Sequence, residues 1–107
     1  MDIQLKKGLL NSCVLTAVLN EDTYGYKITQ DILNIMDVSE SSLYPVLRRL
    51  ENLGYLKTYS LEYGGRLRKY YSITPEGISK LTESKKELQE FKKTIDFILG
   101  GNSNDTR

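Results

Sequence analysis

The chain has 107 residues, 39% of them apolar, and its 15 basic and 14 acidic side chains leave a net charge of +1. That is the length of one domain and the composition of an ordinary globular chain. It holds no His and a single Cys, Cys13, which excludes Ser-His-Asp and Cys-His catalysis, His-ligated metals, Cys-rich zinc sites and an intrachain disulfide.

The first predicted element spans residues 3–19. Leu5, Leu9, Cys13 and Ala17 recur at four-residue steps, with Leu10, Val14 and Val18 beside them. That spacing gives a helix with a wide apolar stripe, and Asp2 is placed to cap it. Lys6 and Lys7 ahead of Gly8–Leu19 resemble the start of a signal peptide. Asn11 and Ser12 interrupt that run and no small-residue cleavage site follows, so it reads as a core helix. No stretch approaches the ~20 apolar residues of a membrane span. A cytoplasmic protein without a membrane partner is expected, with Cys13 a small buried hydrophobe.

Thr23 is a candidate N-cap for a second helix over 24–36, with Ile28, Ile32, Leu33 and Ile35 as its apolar face. A third helix begins at Ser39, Ser41 or Ser42 and ends at Gly54, a natural residue to follow a helix. Pro45 fits the first turn if Ser41 or Ser42 is the cap, and brings a slight kink if Ser39 is. Residues 55–61 and 66–73 are rich in Tyr, Thr, Leu and Ile around Glu62-Tyr63-Gly64-Gly65, which reads as a β-hairpin. Tyr70 and Tyr71 fall on opposite faces of it, one inward and one outward. Thr74-Pro75-Glu76 supplies a capping hydroxyl, a proline for the first helical position and an acid for the first turn. The last helix extends to Leu99. Leu81, Leu88 and Ile95 fall seven apart, as do Phe91 and Ile98, an a/d seam of about two and a half heptads. Residues 100–107 read as a disordered tail.

The fold class is therefore mainly α with a small β-hairpin. The order of three helices, hairpin and long helix is the winged helix-turn-helix pattern, so residues 1–73 are expected to form a DNA-binding domain of that kind and 74–99 a long C-terminal dimerisation helix. Charge is unevenly spread along the chain. Residues 44–71 hold Arg48, Arg49, Lys57, Arg66, Arg68 and Lys69 against Glu51 and Glu62, a local +4, while the remainder carries −3. At ~100° per residue, Leu43, Val46, Leu47 and Leu50 share one face of the third helix. Ser41, Pro45, Arg48 and Asn52 lie opposite, flanked by Ser42, Tyr44 and Arg49. Small hydroxyls near a helix N-terminus admit close phosphate or base contact. Arginine reads guanine bidentately or pairs with phosphate. Arg66, Arg68 and Lys69 beside Gly64-Gly65 repeat that chemistry on the hairpin.

Three sequence blocks resemble the PadR family of bacterial transcriptional regulators. They are Tyr24-Gly25-Tyr26-Lys27-Ile28, the run from Ser42 through Leu43-Tyr44-Pro45 to Gly54-Tyr55-Leu56, and the run from Gly65-Arg66 through Arg68-Lys69-Tyr70-Tyr71 to Thr74-Pro75-Glu76-Gly77. The likeness covers roughly residues 9–81. It implies a winged helix, a homodimer built through the last and first helices, and repression of nearby genes. It would place Tyr44, Pro45, Arg48 and Arg49 on the recognition helix and Arg66, Arg68 and Lys69 on the wing. Lys27 joins the DNA-binding candidates, and Leu5, Leu9, Leu81, Leu88, Phe91, Ile95 and Ile98 are the dimer candidates. Longer relatives carry several C-terminal helices, whereas this chain has room for one. Some compact relatives stack flat ligands on an interface Trp, and this chain has none.

The expected function is a homodimeric repressor that binds double-stranded DNA at an inverted repeat, with half-sites roughly 34 Å apart. It is not an enzyme and uses no cofactor or metal. A small-molecule effector is left open, its chemistry not written in the sequence. The alternative is a winged-helix module that docks an acidic protein partner.

Overall fold

The computed structural model describes residues 3–101 of the chain. Four α-helices and three short strands follow in the order α1 (Ile3–Asn20), β1 (Thr23–Tyr24), α2 (Gly25–Leu33), α3 (Glu40–Asn52), β2 (Leu56–Tyr63), β3 (Arg66–Ile73) and α4 (Pro75–Ile98). The sheet is antiparallel with strand order β1-β3-β2. The core is one cluster under the helices. Leu10, Val14, Leu15 and Val18 come from α1, Ile28 and Ile32 from α2, and Leu43, Val46, Leu47 and Leu50 from α3. Leu56 and Tyr71 close it from the sheet and Leu81 from α4. Each such aliphatic side chain gains about 1.5–3 kcal/mol from leaving water.

Four expectations are corrected. Thr23 does not cap α2 but lies in β1, with Thr23 opposite Tyr71 and Tyr24 opposite Tyr70. A β-branched residue and an aromatic suit an extended backbone, and the edge of β3 offers the hydrogen bonds. The helix therefore starts at Gly25. It also stops earlier, at Leu33, where the backbone N–H groups of Ile35 and Met36 both turn back onto the Ile32 carbonyl. Ile35 consequently leaves the apolar face and is 69% exposed, while Thr29 takes a buried place. The hairpin loop is tighter than the expected four residues. Tyr63 pairs with Arg66, and only Gly64 and Gly65 turn the chain, with φ of +61° and +80°. Positive φ at both central positions defines the type I′ turn that matches strand twist. Finally, Gly100 and Gly101 belong to the end of α4 rather than a tail. Gly100 has φ +80°, and the Gly101 N–H donates to the Asp96 carbonyl at 2.9 Å. Asp2 and residues 102–107 lie outside the described residues.

Ser39 is the N-cap residue of α3, so Pro45 is the sixth residue of that helix. Its ring leaves the Ser41 carbonyl without the usual helical donor. Both residues are exposed, so water reaches that carbonyl. The other end of α3 closes as the sequence predicts. Gly54 has φ +84°, its N–H reaches the Glu51 carbonyl at 3.0 Å, and the Tyr55 N–H reaches that of Leu50 at 3.0 Å. This is a Schellman closure. At the start of α4 the Thr74 hydroxyl accepts from the Gly77 N–H at 3.0 Å and donates to the Gly54 carbonyl at 2.6 Å. One side chain thus caps α4 and ties it to the end of α3.

Candidate nucleic-acid interface

The buried residues of α3, Leu43, Val46, Leu47 and Leu50, hold one face of the helix on the core. Helical geometry then forces the other face outward. Ser41, Ser42, Tyr44, Pro45, Arg48, Arg49 and Asn52 are all exposed there. Ser42 and Arg49 are partly occupied within the chain. The Ser42 hydroxyl donates to the Ser39 carbonyl at 2.7 Å, and the Arg49 guanidinium donates to the Asn11 side-chain carbonyl of α1. Arg48 makes no ion pair or hydrogen bond among the described residues, so its five donors face solvent.

The hairpin stands beside α3 and is fastened to it. Glu51, at the end of α3, accepts from the Thr58 hydroxyl of β2 at 3.0 Å and pairs with Lys69 of β3 at 3.5 Å. The Lys69 ammonium also lies 5.3 Å from the Tyr71 ring centre. Strand alternation places Tyr59, Leu61 and Tyr63 on one face with their register partners Tyr70, Arg68 and Arg66. On that face the Arg68 guanidinium lies between two rings, 4.1 Å from the centre of Tyr24 and 4.4 Å from that of Tyr63. Tyr24 meets Tyr70 edge to face at 5.7 Å, and Tyr70 stacks on Tyr59 at 5.8 Å. The Tyr59 hydroxyl closes the ladder on Asp22 at 2.6 Å. Its hydrogen bond to that carboxylate pushes the phenol above its ordinary pKa.

The three wing cations thus have different situations. Lys69 is tied to Glu51, Arg68 is held between Tyr24 and Tyr63, and Arg66 at the tip has no ion pair among the described residues. Lys27, on α2, is paired with Asp31 at 3.3 Å across one helical turn. Between the start of α2, Tyr44 of α3 and the outer edge of β3 runs a groove of about 580 Å³ that includes Tyr26 and Leu67. Leu67 is 77% exposed near the hairpin tip. The sequence reading missed the roles of Tyr24, Tyr63 and Leu67. A signal existed for Tyr63, because two-residue periodicity puts it on the Arg68 face. Nothing local announced Tyr24, which reaches Arg68 only because β1 pairs with β3.

The dimer candidates divide. Leu81 is 2% exposed and belongs to the core of its own chain. This corrects its assignment to the seam: a side chain buried in the core of its own chain has no surface left for a partner. Leu5, Leu9, Leu88 and Phe91 instead line a groove of about 320 Å³ between α1 and α4. Ile95 and Ile98 continue along α4 with exposed side chains, joined by Phe97 and Leu99. The Cys13 thiol is half-buried, and burial pushes its pKa up, so it is a poor nucleophile at neutral pH. No group of three His, Cys, Asp or Glu residues is placed to hold a metal among the described residues. No helix among them is long and apolar enough to cross a membrane.

Residues 14–83 match the sequence profile of the Transcriptional regulator PadR-like family. A transcriptional regulator of Mycobacterium tuberculosis is 34% identical over 94% of this chain and 92% of its own length. Among solved structures, one from Streptococcus mutans is 42% identical, covers 94% of both chains and superposes with a TM-score of 0.83. A PadR-like transcriptional regulator from Bacillus cereus is 31% identical, covers 92% of this chain and 99% of its own, and has a TM-score of 0.82.

Proposed function

Since the chain belongs to the PadR-like family of transcriptional regulators, and is therefore a DNA-binding regulator rather than an enzyme, we propose that it works as a cytoplasmic homodimeric repressor on an inverted-repeat operator. One observation carries the DNA-facing half of this reading. The exposed face of α3, with Arg48 unpaired, lies beside a hairpin whose tip cation Arg66 is also unpaired among the described residues. In the docking mode of winged helices, α3 enters the major groove while the hairpin follows the backbone beside it. Ser41, Tyr44, Arg48 and Asn52 are then the base-reading residues, and Arg66 the phosphate contact. Arg68 and Lys69 hold the wing in shape and lend charge to the field. Arg49 and Lys27 contribute charge from positions already tied to Asn11 and Asp31.

The dimer half rests on the exposed apolar row of α4. The described residues span 60 Å by 27 Å by 23 Å, and α4 carries Phe91, Ile95 and Ile98 exposed on one face. A soluble chain rarely leaves such a row uncovered. A second copy, packed helix against helix around a two-fold axis, covers it and presents two α3 helices to the same side of a duplex.

Arg48→Ala should cost about 1–3 kcal/mol on the preferred DNA and relax sequence preference. Equal losses on preferred and random DNA, measured by fluorescence anisotropy, would make Arg48 a phosphate contact instead. Arg66→Ala should weaken binding to all sequences alike and reduce the salt slope by about 1; a slope unchanged in a salt titration would remove Arg66 from the interface. The whole reading is tested by gel shift across salt concentrations. Affinity should fall steeply with salt. A dimer with no DNA affinity at any salt would favour a protein-docking module.

A further inference from the structure

We propose that Leu67 of the wing reads the minor groove beside each half-site and selects A·T over G·C pairs there. The role rests on the DNA-binding reading and adds to α3 a second point of sequence readout with a different chemistry. A single exposed leucine is ordinary on a protein surface. What singles out Leu67 is where it stands.

Leu67 lines the open groove between α3 and the wing, which also takes in Tyr26 from the start of α2 and Tyr44 from α3. Four residues of β3 line that groove. Tyr71 is buried, Lys69 is tied to Glu51, and Arg68 lies between the Tyr24 and Tyr63 rings. Leu67 is left with its side chain in solvent. Its register partner Glu62 is on β2, and β3 separates β2 from β1, so that carboxylate is on the strand away from the groove.

Each backbone strand of a duplex is the wall shared by its major and minor grooves. With α3 in the major groove, the neighbouring strand runs through the protein groove, where the exposed Tyr26 hydroxyl donates to its phosphates. The wing side of the protein groove then lies on the minor-groove side of that strand, and Leu67 with it. Arg66, the preceding residue and unpaired among the described residues, holds the tip on the phosphates. On the minor-groove floor G·C differs from A·T by one group, the guanine 2-amino donor. That group stands up into the space an apolar side chain takes. Leucine has no acceptor for it, so contact removes its water and returns no hydrogen bond. Apolar side chains placed on minor-groove floors are an established mode of DNA contact.

The test is fluorescence anisotropy of the full chain on a duplex bearing its selected half-sites, made in three forms with A·T, G·C or inosine·C at the flanking pairs. Inosine lacks only the 2-amino group of guanine. Inosine·C therefore keeps the major-groove pattern of G·C and takes the minor-groove pattern of A·T. Inosine·C should bind as tightly as A·T, and G·C about two- to tenfold more weakly. Leu67→Ser should bind all three forms alike, whereas Leu67→Met, apolar and of similar reach, should keep the preference. Both variants should fold, because Leu67 lies outside the buried core cluster. Inosine·C binding like G·C, equal wild-type affinity for the three forms, or a preference that survives in Leu67→Ser would overturn the role of Leu67. A chain that binds none of the duplexes fails the DNA-binding reading itself, while one that binds its half-sites and ignores the flanking pairs fails the minor-groove role alone.

Discussion

Gly77→Ala should bring the protein close to unfolding, although alanine is ordinarily the better helix former by about 1 kcal/mol. Gly77 sits in the first turn of α4, where the helix rests on the turn after α3. A Cβ built there lies 2.2 Å from the Tyr55 carbonyl oxygen and 2.8 Å from Cγ1 of Ile73. The carbonyl has little freedom to retreat, because it also accepts the Thr74 N–H at 3.1 Å. Neither can α4 slide, since the Thr74 hydroxyl holds both Gly77 and the Gly54 carbonyl. Backbone must move against backbone. The expected cost is at least about 3 kcal/mol, a fall in Tm of roughly 12–24 °C for a domain of this size. Thermal melting followed by circular dichroism measures it; a variant melting within a few degrees of wild type would show that α4 is not seated as described.

The second large effect lies at the other end of α4. Leu88→Asp combined with Phe91→Asp should give a folded monomer with far weaker operator binding. Phe91 is 44% exposed in the single chain and Leu88 lines the shallow groove against α1, so neither belongs to the buried core cluster. Helical circular dichroism should therefore survive. Two carboxylates in an apolar seam would be desolvated without partners, and the dimer should dissociate. Each head then binds one half-site alone, and the gain from linking two heads, on the order of 10² to 10⁴ in affinity, is lost. Light scattering at micromolar concentration reads the mass. A dimer that persists in the double variant would place the interface elsewhere.

These two sites show what the sequence could and could not convey. The Thr74-Pro75-Glu76 start of α4 is a local code, and the structure follows it. The reason for a glycine one residue later is not local: it lies in a carbonyl more than twenty residues earlier in the chain. Leu81 misleads for a similar reason. Seven-residue spacing links Leu81, Leu88 and Ile95, but periodicity reports only that a face is apolar. It does not say whether the neighbour is the same chain or another. Leu81 is covered by its own head, while Phe91 and Ile98 extend past it.

The α3 face was legible because an amphipathic helix sorts its residues by angle alone. Every residue expected on the outer face is exposed, from Ser41 to Asn52. The wing was legible as a hairpin but not as a device. Counting Arg66, Arg68 and Lys69 as equal cations hides their different partners: solvent for Arg66, two tyrosine rings for Arg68, and Glu51 for Lys69. That difference depends on strand register and on β1, a two-residue strand too short to leave a pattern.

Two copies that present α3 and wing together to one duplex leave a direct signature in the sequences selected from a random double-stranded library. The expected outcome is an inverted repeat with half-site centres one helical turn apart, roughly 34–36 Å. Enrichment of a single unrepeated site, or of no sequence at all, would contradict it.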